Sequence, residues 1–160
     1  MKTLYENYFK NKKSNNPVIQ VMSKIPMFQN LSSSELNDVA RLTHERSFKA
    51  EEPIFKKMAP AEGMYVIIEG KVEISDPDSR VTFATLSDGD FFGELALLDE
   101  EPRSAMAVAT EPSKLIGFFR TDLLTLMDRD PVVGNKILVD LSRVLGERLR
   151  RTNLKLAKSK

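Results

Sequence analysis

The sequence predicts an α+β domain in which an antiparallel β-roll, a double-stranded jelly-roll-like barrel, is flanked by N-terminal and C-terminal helices. Three observations carry that expectation. Apolar residues recur at helical spacing before residue 43 and again after residue 121. Between those stretches lie short strand-like segments, and clusters of Gly, Pro, Asp and Ser separate them as turns.

Residues 1–16, rich in Lys and Asn and without a sustained apolar period, read as a flexible extension or a short partner-binding helix. The domain proper is expected over 17–160. Val18, Val21, Met22 and Ile25 share one helical face, and Pro26 limits that helix. A second helix is expected over 35–42, capped by Ser32, Ser33 or Ser34, so the N-terminal helices span 17–43. The β-roll follows over 44–120, with strands at 46–49, 53–57, 64–69, 71–75, 81–86, 105–109 and 114–119. Helical spacing returns over 121–157: Leu123, Leu124 and Met127 precede Pro131, and Leu138, Leu141, Leu145, Leu149 and Leu156 mark a long amphipathic helix.

Composition narrows the function classes. With 160 residues, 41% hydrophobic and 29% charged, and a net charge of +1, the chain reads as one ordinary globule, not as a polyelectrolyte. It has no cysteine, which excludes disulfides, thiolate-held clusters, Cys-ligated zinc and a cysteine nucleophile. No apolar run approaches the roughly 18 to 20 residues of a membrane span, and the first residues are too polar for a signal peptide. A cytoplasmic location is expected.

The chemistry concentrates in residues 86–109, LSDGDFFGELALLDEEPRSAMAVA. Gly93 lets the backbone approach a ligand, and residues 94–98 suit a helical turn whose unpaired N–H groups face an anion. Arg103, held between Pro102 and a strand, supplies a permanently charged fork for phosphate oxygens. Glu94 is poorly suited to that phosphate but is a strong acceptor for a sugar hydroxyl beside it. The bland alternatives are a surface ion pair of Arg103 with Asp99, Glu100 or Glu101, and a helix-terminal role for Glu94.

The segment 93–105, GELALLDEEPRSA, resembles the phosphate-binding cassette of the cyclic-nucleotide-binding domain family. GMYVIIEGKVEI at 63–74 is similar to that family's paired strands about a turn glycine, and LSDGDFFGE at 86–94 to its approach to the cassette. The resemblance covers roughly residues 17–154. It implies a stand-alone sensor with Glu94 on the ribose, Arg103 on the phosphate, and Gly93, Leu95, Ala96, Ser104 and Ala105 completing the ligand contacts. It also implies that Leu97 packs on an apolar hinge at Leu123 or Leu124 when ligand binds. Thr152 and Asn153 match the positions that meet the base in the family's bacterial activators. Thus cAMP is the preferred ligand and cGMP the alternative; the two residues read equally as exposed helix surface. A nucleotide-independent regulatory or oligomerisation domain of the same fold is a further alternative.

Elsewhere the sequence offers less. Arg148, Arg150, Arg151, Lys155, Lys158 and Lys160 stand against the single acid Glu147, which suits a helix C-terminus and nothing more specific. Too few residues follow Arg151 for a DNA-binding module. The leucine stripe permits a homodimer through the C-terminal helix or packing back over the domain. His44, the only histidine, lacks the companions of a metal site, and the scattered methionines read as core filler. An enzyme is not expected, because neither a histidine cluster nor a nucleophile–base set is present. The expected outlet of a signal is an effector protein.

Overall fold

The structure, a computed structural model, describes residues 15–159; the proposed extension at 1–16 falls almost wholly outside them. The first helix, α1 (Pro17–Met22), starts where the Asn16 carboxamide oxygen accepts from the Val18 amide at 2.9 Å and Pro17 occupies the first turn. It stops three residues earlier than the apolar spacing suggests. Ile25 must turn extended ahead of Pro26, which opens a 3-10 turn at Pro26–Phe28. Of the three candidate serines, Ser32 caps α2 (Ser33–Ala40): its hydroxyl accepts from Glu35 N at 3.2 Å while the Glu35 carboxylate accepts from Ser32 N at 2.7 Å.

Eight antiparallel strands follow: β1 (His44–Phe48), β2 (Glu52–Phe55), β3 (Gly63–Glu69), β4 (Val72–Asp76), β5 (Val81–Leu86), β6 (Phe91–Phe92), β7 (Met106–Ala109) and β8 (Ser113–Phe119). One sheet has the order β1-β8-β3-β6 and the other β2-β7-β4-β5, which is the expected roll. β6 has no counterpart among the expected strands. Its two residues pair with Tyr65 and Val66 and are too few to show an alternation.

Strand parity sorts side chains between two apolar cores. Ile67, Leu115, Val72, Phe92 and Ala107 fill the space between the sheets. Met64, Val66, Ile116 and Phe118 point the other way, onto Met22, Phe28, Leu123, Ile137 and Leu141 of the helices. Both faces of β3 and β8 are therefore covered, which explains their nearly unbroken apolar sequence.

The chain leaves β8 directly into α3 (Arg120–Arg129), whose Asp122 accepts from Phe119 N at 3.1 Å. Asp130 then caps α4 (Pro131–Lys158), its carboxylate accepting from Val133 N at 3.2 Å. Two polar ties fix the first half of α4. Buried Asp140 accepts from Asn30 at 2.8 and 2.9 Å, and Lys136 bonds both Glu35 oxygens at 2.9 Å. At 1.5 Å per residue α4 is about 42 Å long, so its second half extends beyond those ties.

Candidate functional site

The site is built where β6 ends. Gly93 adopts φ +76°, and the chain turns there into a 3-10 turn at Glu94–Leu97, shorter than the helical turn expected over 94–98. A Cβ on Gly93 would lie 2.7 Å from Nη1 of Arg103, so glycine is required both for the backbone and for the space that arginine fills.

Arg103 is held at both ends of its peptide unit: its N–H donates to Ala59 O at 2.9 Å and its carbonyl accepts from Met58 N at 2.8 Å. Its side chain turns inward and is only 7% exposed. The guanidinium lies 4.1 Å from the centre of the Phe55 ring, with Nη2 donating to Gly63 O at 2.6 Å and Nη1 to Gly93 O at 3.3 Å. Nε is the only buried side-chain polar atom without a hydrogen-bond partner among the described residues. No carboxylate is paired with this cation among the described residues, and burial pulls its pKa below the usual arginine value. The surface ion pair considered for Arg103 is therefore not what forms; Glu100 instead meets Arg120 at 3.4 Å.

This half-satisfied cation lines a cavity of about 390 Å³. Glu94, Asp99, Glu101, Arg103 and Ser104 are its polar lining residues, and Phe55, Ile74 and Phe92 form much of its apolar wall. The volume lies in the range of small-molecule sites, and an anion bound there would offer the arginine further acceptors.

Glu94 is buried too, and its carboxylate already has a partner: Arg148 of α4 donates to it from Nη1. The Arg148 Nη2 donates to Phe91 O at 3.2 Å, and its guanidinium lies 4.5 Å from the Phe91 ring centre. Arg148 thus contacts a cavity-lining residue without lining the cavity itself, where the sequence grouped it with the basic end of the helix. Its signal was available only through spacing, since it lies one turn before Thr152 on a helix able to reach the cassette.

The remaining candidates divide. Ala96, Ser104 and Ala105 line the cavity, as does Leu95, although most of the Leu95 side chain is in solvent. Leu97 is buried in the same apolar cluster as Leu123, whereas Leu124 is exposed, so the structure gathers only the first of the two hinge candidates with Leu97. Thr152 and Asn153 are exposed and line no part of the cavity; the Thr152 hydroxyl donates to Arg148 O at 3.0 Å. His44 sits 3.1 Å from Asp122 and stacks on Phe119 with centroids 4.9 Å apart, a structural placement. Among the described residues no cluster of three His, Cys, Asp or Glu is placed to hold a metal, and no helix is long and apolar enough to cross a membrane.

Comparison with known proteins agrees with this geometry. The sequence profile of the cyclic nucleotide-binding domain matches residues 45–130, which contain the cavity-lining residues described above. The cyclic AMP receptor protein of Thermus thermophilus is 34% identical over 138 residues, a match covering 84% of this chain and 62% of that protein. A cyclic nucleotide-gated potassium channel of Rhizobium etli is 32% identical over 118 residues, covering 74% of this chain and 32% of the channel. The chain therefore spans less than two thirds of the length of either relative. The N-terminal domain of a transcriptional regulator from Streptomyces coelicolor superposes with a TM-score of 0.73 at 29% identity, covering 83% of this chain and 94% of that domain.

Proposed function

The chain belongs to the cyclic nucleotide-binding domain family, and from that premise we propose that it is a sensor for cAMP that passes ligand binding to an effector protein through α3 and α4. It is a regulatory binding domain and not an enzyme, as its family and its regulator relatives indicate. The observation that carries the sensor reading is Arg103, a buried cation without a carboxylate partner among the described residues, which lines a cavity of mononucleotide size.

In this reading the cyclic phosphate takes the Arg103 guanidinium and the first amides of the turn at Glu94–Leu97, with Ser104 adding a hydroxyl. A ribose hydroxyl donates to Glu94, sharing that carboxylate with Arg148. Binding then changes the contact between Leu97 and Leu123, and with it the packing of α3 and α4. Such coupling requires ligand contacts that differ between the two arrangements, and the phosphate contacts supply that difference. Thr152 and Asn153 meet the base only if the distal half of α4 closes on the cavity. Residues 17–160 act as one unit in this reading, and the cysteine-free composition suits the reducing cytoplasm.

cGMP is the second reading, favoured by one feature: Ser104 lines the cavity, where its hydroxyl is available to a guanine amino group. Calorimetric titration with cAMP and cGMP decides between them. We expect saturable binding of both with cAMP tighter. Tighter cGMP binding would reverse the order, and binding of neither would leave a nucleotide-independent regulatory domain. Recovery of unchanged nucleotide after long incubation is expected from a binder that performs no hydrolysis.

A further inference from the structure

Arg120, the first residue of α3, makes a set of contacts that the nucleotide reading does not use. Its backbone N–H donates to Glu62 O at 2.8 Å, which sets the residue beside the loop leading into β3. From there its side chain crosses to the cassette. Nη1 donates to the carbonyls of Asp99 at 2.6 Å, Ala96 at 3.0 Å and Ala61 at 3.1 Å. One such nitrogen carries two hydrogens, so three acceptors share them and converge on a single point.

The acidic neighbour contributes little. Glu100 lies 3.4 Å from Nη2 and is 85% exposed, whereas the arginine side chain is 20% exposed. The charge is therefore held mainly by backbone oxygens at the C-terminal end of the 3-10 turn, where carbonyls lack partners within the turn. All three acceptor residues line the cavity, and Arg120 itself does not. The guanidinium stands behind the wall that Arg103 faces from within.

We propose that Arg120 is a positioning residue for the anion site, clamping the cassette to the loop at 59–62 and tying both to the first residue of α3. A cassette that moves relative to Ala61 must break these bonds or carry Arg120, and hence the start of α3, with it. Without the clamp the receptive geometry is one of several, and apparent affinity falls by the fraction of molecules that retain it. If that fraction drops to about a tenth, Kd rises about tenfold.

The inference rests on the nucleotide reading only for its affinity measurement, so the test has two arms. Arg120→Met removes the clamp, and Arg120→Lys keeps the charge but loses the planar fork. In nucleotide-free protein, amide hydrogen exchange should accelerate about tenfold across 59–62 and 94–101, less in the lysine variant, and stay unchanged in the β4–β5 hairpin. Titration with cAMP should give a Kd about tenfold weaker for Arg120→Met and intermediate for Arg120→Lys. Unchanged exchange in both loops, acceleration spread evenly over the roll, or faster exchange with unaltered affinity would each overturn the proposal. If the methionine variant does not fold, the lysine variant carries both measurements. Should the parent protein bind neither cAMP nor cGMP, the nucleotide reading fails and the exchange arm alone decides the clamp.

Discussion

A guanidinium removed from water with donors unfilled is costly, because desolvation of a charge is recovered only when its hydrogen-bonding positions are occupied. Arg103 keeps two of its nitrogens bonded to carbonyls and lies on Phe55, which offsets part of that cost, and Nε is left without a partner. Arg103→Met relieves the desolvated charge but takes a donor from the Gly63 and Gly93 carbonyls, so its melting point in nucleotide-free protein should differ little from the parent's. Arg103→Ala should weaken cAMP binding by about 1.5–3 kcal/mol, roughly one to two decades, and Arg103→Lys should restore only part of it. Equal affinity of parent and alanine variant by calorimetry would remove Arg103 from the site. Glu94 and Arg103 were legible in the sequence because nine residues of local chain, with their glycine and proline, set their relationship. Arg148 was not, because nothing in a run of basic residues tells which one meets a carboxylate 54 positions away.

Among the elements, α2 and α4 show how distant segments are pinned by charge. Glu35 closes the cap of α2 and also accepts from Lys136, and together these bonds hold its carboxyl below the usual carboxylate range, the Lys136 bond most of all. A depressed folded-state pKa contributes stability above the unfolded value and loses it as pH falls through the folded one. The melting difference between the parent and Lys136→Met should therefore be present at pH 6, worth up to about 1 kcal/mol, and shrink once pH drops below about 4.5. A constant difference down to about pH 3 would show that Lys136 acts by packing alone. The cap was legible as one of three serines, and the structure chose Ser32 because only it stands three residues before Glu35. β6 was not legible, since two phenylalanines become a strand only when β3 offers them a partner.

For the whole molecule, α4 divides at its middle. Ile137 and Leu141 are fully buried and Leu145 packs at the edge of the core, but Leu149 and Leu156, which continue the same stripe, are 62% and 61% exposed. Of the two fates open to that stripe, packing back over the domain is not the one adopted in this structure. Pairing with a second copy is the proposal that accounts for the leucines, and sedimentation should then show a concentration-dependent dimer that Leu149→Lys with Leu156→Lys reduces to monomer. A parent that stays monomeric at high concentration, with and without cAMP, would leave the stripe for another partner. Ligand should also stabilise the fold: at about 100 times Kd, cAMP is expected to contribute about 2.7 kcal/mol, seen as roughly 5–10 °C in the melting midpoint.

The helix–roll–helix plan, most strand positions and the grouping of glycine, acid and arginine in the cassette could be read from the order of residues alone. Each of these is written in local spacing, through periods of two or of about 3.6 and through residues whose backbone options are few. The folded arrangement was needed to show that Arg103 Nε lacks a partner, that Arg148 covers Glu94, that Leu123 and not Leu124 joins Leu97, and that Arg120 gathers three carbonyls from two loops. Those outcomes depend on which segments remote in sequence arrive at one point and on how much water they exclude there, and no local pattern of residues encodes either.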